Sequence, residues 1–482
     1  MPVTAIRDAG KAAQYARRRI AFWEDYSRGI ARWDRFRRGY QSRLGEIVAF
    51  AIPPGLTVLE LGCGAGDLLA RTRPAEGVGV DFAPSMVRLA RERHPGLTFL
   101  EADVHDLDLG RRFDVIILSD LINDLWDAQR VLEVCRRHAH PGTRLLLNFY
   151  SRVWELPRRA AERLGLAARP LQQNWFAPED VRNLLYLTGW EPIRGSREIL
   201  FPFPPPLLGP LLNRMLVRFW PFSRLAMTNF FVARPEPGPP SGAEPVVSVI
   251  VPARNEEGNI PNLFARIPQM GGKTELILVE GHSSDGTRAA IEREIAARPD
   301  LGARMVVQTG KGKGDAVRAG FSQATGDVLM ILDADLTVPP EALPAFYRAW
   351  RGGKGELVNG VRLVYPMEDQ AMRFLNTLGN RFFSLAFTWL LGQSIKDTLC
   401  GTKAIGRRQY QLLAANRQYF GDFDPFGDFD LIFGAARFNL KIADLPVRYG
   451  ERTYGETNIR RWSHGWLLVR MLALALRRLK FV

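Results

Sequence analysis

Two carboxylates stand two residues apart directly after an apolar run. Residues 328–332 read Val-Leu-Met-Ile-Leu, and Asp333 and Asp335 follow them. Placing two carboxylates at the end of a buried strand is unfavourable unless a cation or solvent neutralises them. Hard oxygen ligands of this kind suit Mg²⁺ or Mn²⁺, and either ion can bridge the oxygens of a diphosphate. The pair therefore predicts a metal site for a substrate that carries a diphosphate.

Three other segments precede this pair. An apolar strand at residues 246–251 runs into a polar turn, and a second strand at residues 275–279 ends at Glu280. Residues 310–316 then form a glycine-rich loop that contains Lys313, and a flexible cationic loop suits pyrophosphate oxygens. Ligands of open α/β sheets bind where such strands end. The order of the four segments therefore favours a nucleotide-sugar site.

These segments resemble the family 2 glycosyltransferases with the GT-A fold over residues 245–455, and within them the dolichyl- or polyprenyl-phosphate sugar synthases. The resemblance implies an inverting, metal-dependent transfer from a nucleotide-sugar, with the metal on Asp333 and Asp335. It implies that the nucleotide is contacted by the following residues: Pro252, Ala253, Asn255, Glu257 and Glu280.

The same resemblance implies roles for two residues further along the chain. Asp430 aligns with the carboxylate that acts as base or positioning acid, and Arg452 opens a segment that closes on the donor phosphates. The chain departs from the family in two places. Residues 280–283 read Glu-Gly-His-Ser where Asp-Asp-Gly-Ser is usual, and Asn458 replaces a lysine.

The glycosyl acceptor side is marked by arginines. Arg362, Arg373 and Arg381 flank the apolar run at residues 374–391. Guanidinium groups beside an apolar helix suit a lipid phosphate, and a merely basic surface has the same pattern. A phosphate acceptor needs little help from a base, whereas a hydroxyl acceptor would give Asp430 a clearer role.

A second glycine-rich turn lies in the first half of the chain. Residues 60–66 read Glu-Leu-Gly-Cys-Gly-Ala-Gly between an apolar strand and a helical pattern. Glycines let the backbone turn sharply and approach a ligand at a helix N-terminus. The next three strands lead into Asp81, Asp103 and Asp120, and an acid at the first of these positions can accept hydrogen bonds from ribose hydroxyls. The pattern predicts a nucleotide-type cofactor.

This pattern resembles the class I S-adenosylmethionine-dependent methyltransferases over residues 40–190. The resemblance implies that the cofactor contacts fall on Glu60, Gly62, Gly64, Gly66, Asp81, Asp103, Val104 and Asp120. In that family the first four would line the methionine and ribose end. Asp81 would hold the ribose, Asp103 with Val104 the adenine, and Asp120 would lie near the sulfonium.

The methyl acceptor is not identified by any motif. Candidates for a base are chosen by location alone, and they are Asp120, Asp124, His138, His140 and Tyr150. A structural role is at least as well supported for each of them.

The two halves are separated by a proline-rich stretch, residues 235–245, which holds five prolines. Both halves alternate strands with helices, which predicts parallel sheets covered by helices. We therefore expect an α/β protein with a Rossmann-like methyltransferase domain at residues 1–234 and a GT-A domain at 246–460. An amphipathic helix is expected at 461–482.

Two other segments allow two interpretations each. The Arg-rich helical pattern at residues 11–43 fits a helix packed on the first domain or a lid over its pocket. Residues 211–222 form a basic amphipathic segment that fits a cover for the methyltransferase sheet or a contact with a membrane or a lipid acceptor.

The amino-acid composition limits the kinds of partner and the cellular compartment that we expect for this chain. A net charge of +14 and a pI near 10 favour an anionic partner, and three cysteines in 482 residues exclude a disulfide scaffold and fit a reducing compartment. We find no secretory signal and no stretch apolar enough to span a bilayer. The basic, apolar C-terminal helix suits a membrane interface, and docking on the transferase domain or on another subunit is the alternative. We therefore expect a cytoplasmic enzyme, peripheral at the cytoplasmic face of the membrane.

The leading hypothesis is a bifunctional methyltransferase and glycosyltransferase that serves glycolipid or cell-envelope polysaccharide assembly. One alternative keeps the methyltransferase fold as a non-catalytic binding module. The other is a nucleic-acid methyltransferase, although the sequence has no recognised RNA-binding motif with interleaved aromatic and basic residues.

Overall fold

A computed structural model describes residues 3–28, 30–163, 171–202, 208–362, 364, 374–419, 429–452, 454 and 461–482. The chain forms two compact units. The first unit is Met1–Glu236 with Phe481–Val482, and the second is Pro237–Lys480. The division lies inside the proline-rich stretch.

The first unit is built on a seven-stranded sheet with the strand order β3-β2-β1-β4-β5-β7-β6. Its strands are β1 (Thr57–Leu61), β2 (Glu76–Asp81), β3 (Thr98–Glu101), β4 (Phe113–Ser119), β5 (Ala139–Tyr150), β6 (Trp190–Glu198) and β7 (Thr228–Pro235). Its helices are α1 (Val3–Arg28), α2 (Ile30–Ala51), α3 (Asp67–Arg71), α4 (Pro84–Arg93), α5 (Ala128–Arg137), α6 (Glu155–Arg163) and α7 (Pro178–Leu187).

Strands β1 to β5 are parallel, whereas β7 is antiparallel to both β5 and β6. The sheet is therefore mixed and not wholly parallel as predicted. Successive residues of one strand face opposite sides, and both sides are buried. Leu59 and Ile116 belong to one core cluster, and Val58 and Val115 belong to the other.

The second unit is built on a sheet with the strand order β10-β9-β8-β11-β13-β12-β14. Its strands are β8 (Val246–Ala253), β9 (Lys273–Glu280), β10 (Arg304–Val307), β11 (Val328–Ile331), β12 (Leu357–Val361), β13 (Lys403–Gly406) and β14 (Ile442–Pro446). Its helices are α8 (Ile260–Arg266), α9 (Thr287–Ala297), α10 (Lys313–Gln323), α11 (Leu343–Arg351), α12 (Phe374–Leu391), α13 (Arg407–Ala415), α14 (Phe429–Arg437) and α15 (Arg461–Ala475).

This sheet is also mixed, because β13 is antiparallel to β11 and β12. Its two faces are again both apolar. Val249 and Leu278 pack on one side, and Ile250 and Ile277 pack on the other. Apolar faces of this kind favour ligand binding at the ends of the strands.

Helices α12 and α15 pack on the side of this sheet that carries Ile250 and Ile277. Phe387 of α12 and Leu468 and Met471 of α15 are buried there. Trp466 and Val469 of α15 are exposed. Across the described residues, no helix combines the length and the apolar character required to cross a membrane.

One buried ion pair ties two segments of the second unit together. Arg362, directly after β12, donates from Nε and Nη2 to the Asp397 carboxylate at 2.7 Å and 2.9 Å. The Arg362 and Asp397 side chains are only 9% and 1% exposed. Removing one partner of a buried pair leaves an uncompensated charge, which costs about 3–5 kcal/mol.

We expect Asp397→Asn to lower the unfolding free energy of the second unit by about 3 kcal/mol, since Arg362 then loses its counter-charge. Hydrogen exchange of the β12 and β13 amides, read by mass spectrometry, should become roughly a hundredfold faster. Glu341→Gln is the control, because its pair with Arg266 is exposed. An equal effect in both variants would contradict the assignment.

Candidate active sites

In the first unit, the glycine-rich turn joins the end of β1 to α3. Gly62, Gly64 and Gly66 all have positive φ, at 70°, 50° and 77°. A Cβ at Gly64 would meet no atom within 4 Å, whereas one at Gly62 would lie 2.7 Å from Leu121. The turn is therefore open at Gly64, and a ligand can approach its backbone there.

Glu60 precedes this turn and is 2% exposed. Within the described part of the chain, its Oε2 atom has no hydrogen-bond partner. Burial, together with the negative charges of Asp81 and Asp67, raises its pKa to about 8. A buried polar atom without a partner is destabilising, so Glu60 is suited to receive a donor group from a ligand such as the cofactor.

Asp81, at the end of β2, holds the glycine-rich turn in place. Its Oδ2 accepts a hydrogen bond from Gly64 N and its Oδ1 accepts one from Ala83 N, both at 2.9 Å. Burial raises its pKa despite these bonds. Asp81 therefore shapes the turn before any ligand binds.

Asp103 and Val104 follow β3. A hydrogen bond from the His105 imidazole, 2.6 Å from Asp103 Oδ1, lowers the pKa of Asp103, and that carboxylate is half-exposed. Val104 is buried beside it. A charged acceptor next to an apolar side chain is compatible with the adenine contact that the resemblance implies.

Asp120 follows β4 and has φ of 53°, an uncommon conformation for a residue other than glycine. Its Oδ1 accepts hydrogen bonds from Tyr40 Oη at 2.7 Å and Asn148 Nδ2 at 2.6 Å. Tyr150 Oη lies 3.4 Å from its Oδ2. Strained backbone of this kind persists where neighbouring groups hold it, often at functional sites.

The N-terminal helix α1 contacts the same edge of the sheet. Arg19 pairs with Asp124 at 3.2 Å, and Trp23 Nε1 lies 3.3 Å from the same carboxylate. Glu24 accepts a hydrogen bond from Ser85 N at 2.8 Å, at the start of α4. Part of the Arg-rich segment is thus held next to the predicted cofactor residues, which both predicted interpretations allow.

The two histidine candidates lie elsewhere. His138 and His140 stand at the amino end of β5, whereas Asp120 follows the carboxyl end of the parallel strand β4. His138 is buried and its Nε2 accepts a hydrogen bond from Leu109 N, and His140 pairs with Asp114 at 3.2 Å. The structure therefore does not bring them to the glycine-rich turn.

In the second unit, Asp333 and Asp335 lie in the turn directly after β11. Lys313 Nζ lies 2.6 Å from Asp333 Oδ1. Arg452 Nη1 lies 3.8 Å from Asp335 Oδ2, and the same guanidinium pairs with Glu256. Two cations from distant segments thus meet the two predicted metal ligands.

The charges of this cluster act differently on the two acids. Burial opposes ionisation of Asp333, but the Lys313 ammonium outweighs it and keeps the pKa below its ordinary value. Burial and the neighbouring Asp333 charge raise the pKa of Asp335. Additional positive charge would favour ionisation of both.

The acid pair fits a divalent cation. The described residues contain no group of three or more potential protein ligands. Mg²⁺ is usually held by one or two carboxylates together with waters and substrate phosphates. Asp333 and Asp335 would supply the protein share of such a set, and Lys313 and Arg452 place positive charge beside them.

The turns after β8 and β9 are fastened to each other. Asn255 has φ of 57°, and its Oδ1 accepts a hydrogen bond from Ser284 N at 2.8 Å. Glu257 Oε2 accepts one from Gly286 N at 3.0 Å. These two predicted donor-site residues therefore join the two turns to each other.

Glu280 closes the end of β9 and is buried. Its Oε1 accepts a hydrogen bond from Ser283 N at 2.7 Å, and such bonds lower its pKa although burial opposes this. Pro252 and Ala253 end the neighbouring strand β8, in register with Val279 and Glu280. The predicted nucleotide contacts thus share one edge of the sheet.

The predicted acceptor arginines differ in position. Arg362 is committed to Asp397 and, with the buried Lys403, adds to the Lys313 effect that keeps the pKa of Asp333 low. Arg381 is exposed on α12. Arg373 lies outside the described residues. Arg362 is therefore placed to act on the acid cluster electrostatically.

Asp430 begins α14 and lies between two guanidinium groups. Its Oδ2 is 3.7 Å from Arg318 Nη1 and 3.4 Å from Arg417 Nε. It lines a small cavity together with Tyr410 and Gly434. Paired in this way, the carboxylate is better suited to positioning than to accepting a proton.

Sequence reasoning missed Tyr40, Asn148 and Glu256. Tyr40 lies 80 residues before the Asp120 that it contacts, and Glu256 lies 196 residues before Arg452. None of them belongs to a motif. For Glu256 alone the sequence offered an indication of a role in the site, because this acid stands between the predicted residues Asn255 and Glu257.

Two family models match the chain. Residues 52–180 match a model described as a methyltransferase domain, and residues 248–411 match the model of glycosyl transferase family 2. The chain therefore joins a methyltransferase domain to a family 2 glycosyltransferase domain. Both resemblances and the predicted fold class, Rossmann-like followed by GT-A, are confirmed, and both domains belong to enzyme families.

The individual proteins that resemble this chain share about a third of their residues with it or fewer. The undecaprenyl-phosphate 4-deoxy-4-formamido-L-arabinose transferase of Pseudomonas aeruginosa is 32% identical over 219 residues, which is 44% of this chain and 60% of that protein. The chain thus spans less than two thirds of the length of this relative.

Two solved structures are similar. Magnesium protoporphyrin IX methyltransferase from Synechocystis has a TM-score of 0.33 at 20% identity, over 45% of this chain and 99% of the other. Glucosyl-3-phosphoglycerate synthase from Mycobacterium tuberculosis has a TM-score of 0.36 at 22% identity, over 49% and 80%. These likenesses are too distant to bear on substrate or mechanism.

The first unit is expected to lose stability as the pH rises. The pKa of Glu60 is about 8 when folded against an ordinary value of 4.5, so between these values only the folded unit keeps the proton. The stabilisation is complete below the lower value and lost above the upper one, a change of about 5 kcal/mol in the free energy of unfolding. Glu60→Gln cannot ionise and should flatten this dependence in urea unfolding between about pH 5 and 8.

Glu76→Gln is the matched control for this experiment. Glu76 lies on the neighbouring strand β2, is exposed, and has its pKa lowered by a hydrogen bond from Arg111. It should leave the pH dependence unchanged. A wild-type slope in Glu60→Gln would show that Glu60 is not the titrating group.

Proposed function

We propose that the chain is a bifunctional enzyme. Its second unit would transfer a sugar, with inversion and with a divalent metal, from a nucleotide-sugar to a polyprenyl phosphate or a related glycolipid or glycan acceptor. Its first unit would transfer a methyl group from S-adenosylmethionine. The observation that carries the proposal is the meeting of Asp333 and Asp335 with Lys313 and Arg452 at the end of β11.

The second unit is proposed to act by stabilising the leaving group. Asp333 and Asp335 would hold Mg²⁺ or Mn²⁺, which would neutralise charge on the nucleoside diphosphate. Lys313 and Arg452 place two more cations beside these acids, where negative charge develops as the sugar leaves. The acceptor oxygen would attack the anomeric carbon from the opposite face.

The acceptor is proposed to be an anion that needs no strong base. Asp430 is engaged by Arg318 and Arg417, so it is poorly placed to take a proton. A phosphate acceptor is already ionised. The relative from Pseudomonas aeruginosa is named for undecaprenyl phosphate, which agrees with this choice.

The first unit is proposed to bind S-adenosylmethionine along the ends of β1 to β4. The partnerless Oε2 of Glu60 would receive the positively charged methionine end, and Gly64 would let the cofactor approach its backbone. Asp81 would exchange part of its present hydrogen bonding for ribose hydroxyls. Asp120 would face the methyl-transfer side.

The enzyme is further proposed to work in the cytoplasm, peripherally at the membrane face. On α15, Leu468 and Met471 anchor the helix in the second unit while Trp466 and Val469 remain exposed next to Arg470. Such a helix suits a bilayer interface rich in anionic lipid.

Asp335→Ala should abolish sugar transfer and leave cofactor binding by the first unit intact, because the metal loses one of its two protein ligands. Purified protein is mixed with Mg²⁺ or Mn²⁺, a polyprenyl phosphate and labelled UDP-sugars or GDP-mannose, and label is measured in the organic extract. Asp300→Ala, on an exposed turn, is the control and should keep full activity. Retained transfer in Asp335→Ala would refute the metal assignment.

Gly64→Ala should weaken S-adenosylmethionine binding about tenfold or more, or about 1.4 kcal/mol, because the added methyl enters the space left for the cofactor. Gly55→Ala is matched, since Gly55 also has positive φ and open space around its Cβ. Both variants should lose about 1 kcal/mol of stability through backbone strain. Calorimetric titration that finds equal affinity in both would contradict the cofactor site.

A further inference from the structure

The connection between β6 and β7 concentrates exposed apolar side chains. We call residues 208–225 the apolar lobe. Its exposed members include Leu208, Leu211, Met215, Trp220, Phe222 and Leu225. Trp220 is 78% exposed. Single exposed apolar residues are ordinary, whereas a group of this size marks an interaction surface.

The lobe is held by its own buried contacts. Asn213 is buried, and its Oδ1 accepts hydrogen bonds from Leu200 N and Phe201 N at 2.8 Å and 2.9 Å, while its Nδ2 donates to Phe201 O at 2.8 Å. Val217 is buried beneath it. Trp154 Nε1 donates to Leu225 O at 2.8 Å. The exposed side chains are therefore presented by an ordered scaffold.

The charge of the segment has one sign. Residues 199–235 contain no aspartate or glutamate but four arginines. Three of these arginines pair with acids outside the segment: Arg214 with Glu46, Arg218 with Glu198 and Arg234 with Glu191. Arg224 is exposed within the lobe itself. A partner with negative charge is favoured over a neutral or basic one.

We propose that the apolar lobe is a membrane-contact surface of the methyltransferase unit, which inserts Trp220 and its apolar neighbours into the interface of an anionic lipid bilayer. Exposed tryptophan, phenylalanine and leucine beside arginine suit the boundary between acyl chains and anionic headgroups. This contact is proposed for residues of the first unit, whereas the one proposed above concerns residues of α15 in the second. It rests on neither catalytic activity, so its failure and theirs are measured independently.

The test places an environment-sensitive fluorophore on the lobe of the full chain. The native cysteines Cys63, Cys135 and Cys400 are buried, so Trp220→Cys can be labelled selectively with a nitrobenzoxadiazole probe. Vesicles of phosphatidylglycerol and phosphatidylcholine should shift its emission to the blue and raise its intensity. Lipids with a quencher in the acyl chain should then quench it.

Tyr186→Cys is the matched control, because Tyr186 is 72% exposed on α7 of the same unit, away from the lobe sequence. Its probe should keep the emission that it has in water. Leu211→Cys gives a second position in the lobe and should respond like Trp220→Cys. Binding should be roughly fivefold or more weaker on pure phosphatidylcholine and should weaken with salt.

Three results would overturn the proposal. The first is an unchanged lobe probe on vesicles that do bind the protein, which would assign membrane contact to another surface. The second is a blue shift without lipid that grows with protein concentration, which would assign the lobe to contact with a second copy of the chain. The third is equal binding to neutral and anionic vesicles, which would remove the anionic preference.

Discussion

Carboxylates at the ends of buried parallel strands are the constraint on which both candidate sites depend. Each must be neutralised, because an isolated charge in such a place is strongly unfavourable. Glu60 meets the constraint by keeping its proton. Asp333 meets it through Lys313, 2.6 Å away. The first arrangement suits a cationic ligand that can take the place of the proton on Glu60, and the second presents a set of charges that suits an anionic ligand.

Much of the fold could be predicted from the sequence because it is encoded locally. The strands β1, β8 and β11 are largely apolar and are followed by glycine-rich or polar turns, so the sequence indicates both their type and their ends. The glycine-rich turn and the Asp333–Asp335 pair are contiguous motifs. Their position at the carboxyl end of a strand followed from the general behaviour of α/β sheets.

The rest depends on tertiary structure. Arg362 was predicted to bind a lipid phosphate because it stands beside an apolar run. In the structure it pairs with Asp397, 35 residues away, and this pairing buries the Arg362 side chain. The partners of Asp120 and Arg452 are likewise distant. Which guanidinium meets which carboxylate is decided by burial and packing, and a single sequence contains neither. The same holds for the antiparallel strands β7 and β13, because alternation of strands and helices does not reveal the direction of each.

Those two strands also affect how the chain is made. β7 lies between β5 and β6, and β13 lies between β11 and β12, although each is the later strand to leave the ribosome. Among the described strands, β6 pairs with β7 alone, so β6 has no strand to pair with until Pro235 has emerged. The first sheet is thus completed by a late insertion, whereas the second receives β13 by insertion and then β14 at its edge. Since such non-local pairing is slow, a nascent chain stopped before either strand would hold an unfinished sheet and be a natural client for chaperones.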